Sequence, residues 1–132
     1  MDDSMIRERV PVRIAHPANA EDDVFLVTLD SPAVLEESAA RLGRDAIRKA
    51  LRGREEPKVA LDLGRIELLS SAGLGLLVNL KRRVDAQEGR LVLFNVHAEV
   101  LRQLRQTALV RLFSLAADRD SALELLQHSP AV

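Results

Sequence analysis

The sequence predicts a single α/β domain, a mixed sheet of four to five strands covered by about four helices. Three observations predict it. From residue 24 onward, short β-type apolar runs alternate with amphipathic helical stretches, the pattern of a largely parallel or mixed sheet with helical crossovers. At 132 residues and 47% hydrophobic, the chain is long enough to bury roughly two thirds of its unfolded surface around one core. It contains no cysteine, so neither a disulfide framework nor a thiolate metal site stands in for that core. The expected division is an N-terminal extension over 1–9, the domain over 10–127 and a frayed tail over 128–132.

Apolar residues alternate between Val10 and Ala15, and a second run around Phe25 extends from Val24 to Leu29, so both read as strands separated by the turn-like HPANAEDD. Ser31 followed by Pro32 is a helix-start signal, because the serine oxygen can cap free amides and proline suits the first helical position. The helix it predicts has Leu35, Ala39, Leu42, Ala46, Ile47 and Leu51 on one stripe and ends near Gly53. Val59 to Leu63, after Pro57, reads as a central strand buried on both faces. Leu74, Leu77, Leu80 and Val84 suit a second helix stopped by Gly89. Leu91 to Val96 follows as a strand, and His97, Val100, Leu101, Leu104 and Ala108 as a third helix. Leu112 to Ala116 suits a short edge strand, and Asp118 to Gln127 a closing helix.

Composition narrows the function. Nineteen basic against 20 acidic side chains give a net charge of −1, without the basic excess of most nucleic-acid binders. The only aromatics, Phe25, Phe94 and Phe113, leave little for bases to stack on. MDDSMIRERV lacks the basic-then-apolar layout of a signal peptide, and the least polar stretch, Leu68 to Leu80, falls short of the ~20 residues a bilayer crossing needs. A cytoplasmic protein that contacts neither nucleic acid nor membrane is expected.

The unusual segment is Ser70, Ser71, Ala72, Gly73, Leu74, Gly75, where a buried strand hands over to a helix. Glycine within a helix costs about 1 kcal/mol relative to alanine, so Gly73 and Gly75 weaken the turn that must nucleate. Close approach by another surface would explain them. The serine pair has two compatible readings. One serine caps the helix, worth ~1 kcal/mol; or a hydroxyl is presented at a helix N-terminus, where free amides and the dipole favour a phosphate.

Self-contained catalysis finds no support. A hydrolase elbow needs glycines two residues either side of the serine, but Leu69 and Gly73 flank Ser71. His16, His97 and His128 have no ligand spacing and read as surface residues, and Gly73 and Gly75 lack the third glycine and the lysine of phosphate-binding loops. No metal or cofactor is expected. Lys81, Arg82 and Arg83 form a basic cluster, and Arg102, Arg105 and Arg111 a looser one; such charges opposite an apolar stripe form a solvated face or a partner contact. Asp62, beside the buried strand, has either a structural hydrogen-bonding role or a place in a partner's site.

The stretch from Val59 to Leu80, VALDLGRIELLSSAGLGLLVNL, resembles the signature of STAS domains, specifically the bacterial anti-sigma factor antagonists. In that family a hydrophobic-D-L strand, here Leu61, Asp62 and Leu63, is followed by a loop and then by D-S-S-G-L-G or S-S-A-G-L, here Ser70 to Gly75. GRLVLFNVHAEVLRQLRQTALVRLF resembles the family's next strand and helix with a T-x-L-x-x-L-F ending, here Thr107, Leu109, Leu112 and Phe113. The resemblance covers about residues 24 to 127. Two positions depart from the family's commonest form: Ser70 stands where aspartate precedes the phosphoacceptor, and Leu29, Asp30 and Ser31 stand where a glycine-acid pair ends the second strand.

The resemblance implies a partner-switching module. Its phosphorylated serine lies two residues before the first glycine of the motif, the position of Ser71. Asp30, Ser31, Asp62, Ser70, Ala72, Gly73, Leu74 and Gly75 would surround the partner. That partner is an anti-sigma factor serine kinase, bound while Ser71 is unmodified; a serine phosphatase resets the state, and ATP and magnesium belong to the kinase. The alternative the family offers is a non-switching scaffold of a signalling complex or an accessory subunit of a lipid transporter.

Overall fold

The computed structural model describes residues 12–15, 24–30 and 36–127. In chain order the elements are β1 (Val12–Ala15), β2 (Val24–Leu29), α1 (Glu37–Leu51), β3 (Lys58–Asp62), α2 (Ser71–Ala86), β4 (Arg90–Phe94), α3 (Ala98–Gln106), a 3-10 turn (Leu109–Leu112), β5 (Ser114–Ala116) and α4 (Arg119–Gln127). The five strands lie side by side in sequence order; β1 is antiparallel to β2, and every later neighbour pair is parallel. Among the described residues a mixed sheet of five strands with four α-helices forms, in line with the expected four to five strands and about four helices.

Alternation along the strands divides the core. Val59 and Leu61 of β3 enter the larger cluster with Phe25, Val27, Leu91 and Leu93, under Ile47 and Leu51 of α1, Leu76, Leu77 and Leu80 of α2, and Val100 and Leu104 of α3. Ala60, between them, faces the other way with Val92 and Phe94, beneath Ala122 and Leu126 of α4. Three helices thus cover one face and α4 the other. β3 is central and buried on both faces, which is why it reads as an unbroken apolar run.

Several boundaries differ from the sequence expectations, each for a physical reason. The serine-proline signal does not start α1: the helix begins at Glu37, after Glu36 in extended backbone with no side-chain cap bond, while Ser31, Pro32 and Leu35 lie outside the described residues. Burial begins at Ala40, and the packed turns fix a helix more strongly than a cap worth ~1 kcal/mol. The buried positions are Ala40, Gly43, Ile47 and Leu51; Ala39, Leu42 and Ala46 flank them, partly exposed. In α2, Leu76 is buried and Leu74 only half-buried. Glu88 (φ 58°), not Gly89, takes the left-handed conformation after α2. Gly89 is required for another reason: a Cβ there would stand 2.2 Å from the Pro57 carbonyl oxygen.

β3 and β4 stop one and two residues early, β4 because Asn95 turns left-handed (φ 55°). Ala108, at φ 61°, follows the end of α3 and is exposed. Leu112 belongs to the 3-10 turn, so β5 starts at Ser114. Asp118 precedes α4 and accepts the Ser121 amide at 2.9 Å, as an N-cap does. Val10, the 16–23 turn with His16, and the 1–9 and 128–132 segments with His128 lie outside the described residues.

Candidate functional site

In open α/β sheets, functional groups gather beyond the carboxyl ends of the parallel strands. Here those ends deliver Asp30 after β2, Asp62 closing β3 and Asn95 after β4, with the 63–70 loop leading into α2. Asp62 organises the start of that loop. Its Oδ1 accepts the Gly64 amide at 2.8 Å, an Asx turn, and the Asn95 side-chain amide at 3.2 Å. A Cβ on Gly64 would come within 3.0 Å of the same Oδ1 and 3.4 Å of Asn95 Cβ, so the turn is closed tightly around glycine. Leu63 stays tied to β4 through its amide on the Phe94 carbonyl, 3.1 Å.

Two further side chains fix the loop. His97 Nε2 donates to the Gly64 carbonyl at 2.7 Å, a carbonyl being able only to accept. Gln103, on α3, accepts the Leu69 amide through Oε1 and donates to the Leu69 carbonyl through Nε2, both at 2.8 Å. One side-chain amide therefore imitates a paired strand residue and sets the backbone immediately before the serines. At the other flank Asp30 takes Arg13 at 3.3 Å and Arg65 at 3.1 Å, linking β1, β2 and the loop. These pairs are exposed, so each contributes about 0–1 kcal/mol and serves orientation more than stability.

The serines divide the work. Ser70 is the N-cap of α2: its backbone is extended, its Oγ accepts the Gly73 amide at 3.0 Å, and its carbonyl accepts the Leu74 amide at 2.9 Å. Ser71 is the first helical residue and is exposed. Its own amide and that of Ala72 make no hydrogen bond within the described residues, as expected of the first turn of a helix. Gly75, one turn on, is exposed, and nothing lies within 4 Å of where its Cβ would be. Gly73 is buried and Ala72 and Leu74 are half-buried. The motif therefore offers a bare strip of Ser71 and Gly75, standing on Gly73 and Leu76.

Of the residues singled out from the sequence, Asp30, Asp62 and the 70–75 segment come together at this end of the sheet, while Ser31 lies outside the described residues. Sequence reasoning missed Arg65, Asn95 and Gln103; His97 is exposed, as a surface residue is, and its bond to the Gly64 carbonyl is an addition from the structure. Asn95 carried a faint signal, since asparagine after an apolar run often takes a left-handed turn; a lone glutamine on a helix carried none. Among the described residues no group of three His, Asp or Glu side chains is placed to hold a metal. No helix among them is long and apolar enough to cross a membrane.

Comparison with known proteins agrees with this geometry. The family model described as STAS domain matches residues 17–122. The protein named Putative anti-sigma factor antagonist BtrV, from Bordetella bronchiseptica, is 31% identical over 67 residues, spanning 51% of this chain and 58% of that protein. Among solved structures, the anti-sigma-factor antagonist (STAS) domain protein of Planctomyces limnophilus has a TM-score of 0.74 at 22% identity, covering 90% of this chain and 99% of that one. The anti-sigma factor antagonist SpoIIAA in its unphosphorylated form has a TM-score of 0.67 at 17% identity, covering 89% and 98%. The two structures share the fold, and the family model spans most of the sheet and its helices: the chain belongs to the STAS domain family.

Proposed function

We propose that the protein is an anti-sigma factor antagonist whose docking is switched by phosphate on Ser71. Unmodified, it sequesters an anti-sigma factor that is itself a serine kinase and so frees the sigma factor; phosphorylation ends the docking, and a separate serine phosphatase restores it. The observation that carries this reading is the placement of Ser71, exposed at the mouth of α2 beside the open Gly75, directly after a loop held by Asp62, Asn95, His97 and Gln103. Similarity to proteins named anti-sigma factor antagonists supports it. Asp30, Ser71, Ala72, Leu74 and Gly75 form the docking face, with Ser31 a further candidate contact by sequence, and Asp62, Ser70 and Gly73 shape it from beneath. The protein works in the cytoplasm as a binding module without catalysis or cofactor; ATP and magnesium are the kinase's.

The magnitudes fit a switch that acts at the interface. Within the chain, a phosphate at the N-terminus of α2 gains roughly 0.3–1 kcal/mol from the dipole and finds the free Ser71 and Ala72 amides, so the fold survives modification. Across the interface, about −1.5 to −2 charges, desolvated against a partner, cost several kcal/mol. Nearly complete switching needs about 5.5 kcal/mol of differential affinity. The glycine strip serves the same end, because the kinase must bring its nucleotide to the hydroxyl.

Incubation with the cognate kinase and magnesium-ATP, followed by mass spectrometry, should place one phosphate on Ser71. An unmodified protein, or phosphate persisting in Ser71→Ala, overturns the switch and leaves a non-switching scaffold or transporter subunit as the reading. Ser71→Asp should unfold within a few degrees of the wild type yet lose the partner.

A further inference from the structure

The basic cluster of α2 is divided by the structure. Lys81 Nζ lies 3.0 Å from Asp85, one turn along the same helix, whereas Arg82 and Arg83 have no carboxylate partner among the described residues. α1 shows the same division: Arg48 pairs with Asp45 at 3.4 Å, and Arg44 pairs with nothing described. Asp45 and Asp85 are therefore already engaged, and Arg44, Arg82 and Arg83 are left without a carboxylate among the described residues.

Arg44 and Arg83 line a single notch between α1 and α2, with Asn79 beside them and Ile47, Leu76 and Leu80 as its apolar floor. The notch is small, about 10 Å³, room for about one water-sized group, so a ligand can only meet the arginines at its rim. Both arginines line it and are half-buried. The exposed side of α2 leads to this place from the serine: Ser71, Gly75, Asn79 and Arg82 are all exposed, at spacings that put them on one helical face. At 1.5 Å of rise per residue, Asn79 stands about 12 Å along the axis from Ser71.

We propose that the partner's docking surface carries an acidic side chain that pairs with Arg44 and Arg83 at the rim of this notch while the same surface covers Ser71 and Gly75. The inference rests on the docking reading above and gives that partner a chemistry. A guanidinium is weakly hydrated and matches a carboxylate with two parallel hydrogen bonds, so a pair of arginines over an apolar floor selects an aspartate or glutamate. The separation from Ser71 exceeds the ~8 Å screening length at physiological salt, so phosphate on the serine and the carboxylate at the notch act as separate contributions. The notch sets recognition and encounter rate, and the serine sets whether docking lasts.

The test uses the full chain and the purified anti-sigma factor kinases of the source genome, with affinity measured at low and at high salt. Arg44→Glu and Arg83→Glu should each weaken binding about tenfold at low salt and flatten its salt dependence. Arg119→Glu, the same charge change on α4 across the sheet, should leave both within twofold. Arg44→Gln and Arg83→Gln should show the same direction with a smaller change; matching thermal midpoints show that the fold is intact. Wild-type affinity and salt slope in the arginine variants, while Ser71→Asp loses binding, would overturn the notch and leave the proposed function standing. Binding unaffected by Ser71→Asp, or no kinase bound by the wild type, overturns both. A single-stranded oligonucleotide held through the same arginines would also count against an acidic protein surface.

Discussion

Replacing Gly75 separates stability from function. In α2 this glycine has no atom within 4 Å of a built Cβ, so alanine meets no steric penalty. Its backbone is helical, and glycine costs about 0.8–1.0 kcal/mol relative to alanine within a helix. Gly75→Ala should therefore stabilise the protein by up to about 1 kcal/mol, raising the thermal midpoint by roughly 3–5 °C for a chain of this size. If the bare strip exists for close approach of a kinase, the gain carries a functional cost: Gly75→Ala should lower the phosphorylation rate of Ser71, and Gly75→Arg should nearly abolish it while still folding. Differential scanning calorimetry and single-turnover phosphorylation read the two effects independently. A lower midpoint in Gly75→Ala refutes the open geometry, and Gly75→Arg phosphorylated at the wild-type rate refutes the reason given for the glycine.

Three further outcomes are expected. Gln103→Ala removes both bonds to Leu69 and should cost about 1–3 kcal/mol, with hydrogen exchange at the Leu69 amide accelerated well beyond that of the α3 amides. Gly89→Ala would drive a methyl onto the Pro57 carbonyl oxygen, which also accepts the Arg90 amide at 2.8 Å; about 2 kcal/mol of destabilisation in chemical denaturation is the expected result, and none would disprove the close approach. The Ser121 amide, and then its hydroxyl, hold the Asp118 carboxyl below its ordinary value of 3.8, so its capping of α4 is present above that pH and is lost as the pH falls through the lowered value. Asp118→Asn, which can still cap, should remove that part of the acid dependence in a circular dichroism titration.

The sheet was legible because its signals are local and strong: Val59 to Leu61 form an apolar run that only a two-sided strand explains, and Val100 and Leu104 recur at helical spacing. Element ends were less legible, since they depend on packing and on left-handed residues such as Glu88 and Ala108, which are not the residue types that advertise a break. At the site, Ser70, Ser71 and Gly75 were readable from the motif, and which serine caps followed only from the hydrogen bond to Gly73. The supporting ring was not readable. Asn95, His97 and Gln103 act on residues 33 or 34 positions away, and periodicity carries no information about such a contact.

The strands lie in the order in which the chain runs, so no later strand has to be wedged between two that have already paired. Such a sheet can grow outward as the ribosome delivers it, each crossover closing onto an edge still open, and the early contacts stay short in sequence. The polar ring around the serines is complete once α3 has emerged, whereas Phe94, Val92 and Ala60 await the cover brought by α4. A nascent chain halted between those two points would carry a finished regulatory tip on a body with one greasy side, the form most in need of a chaperone.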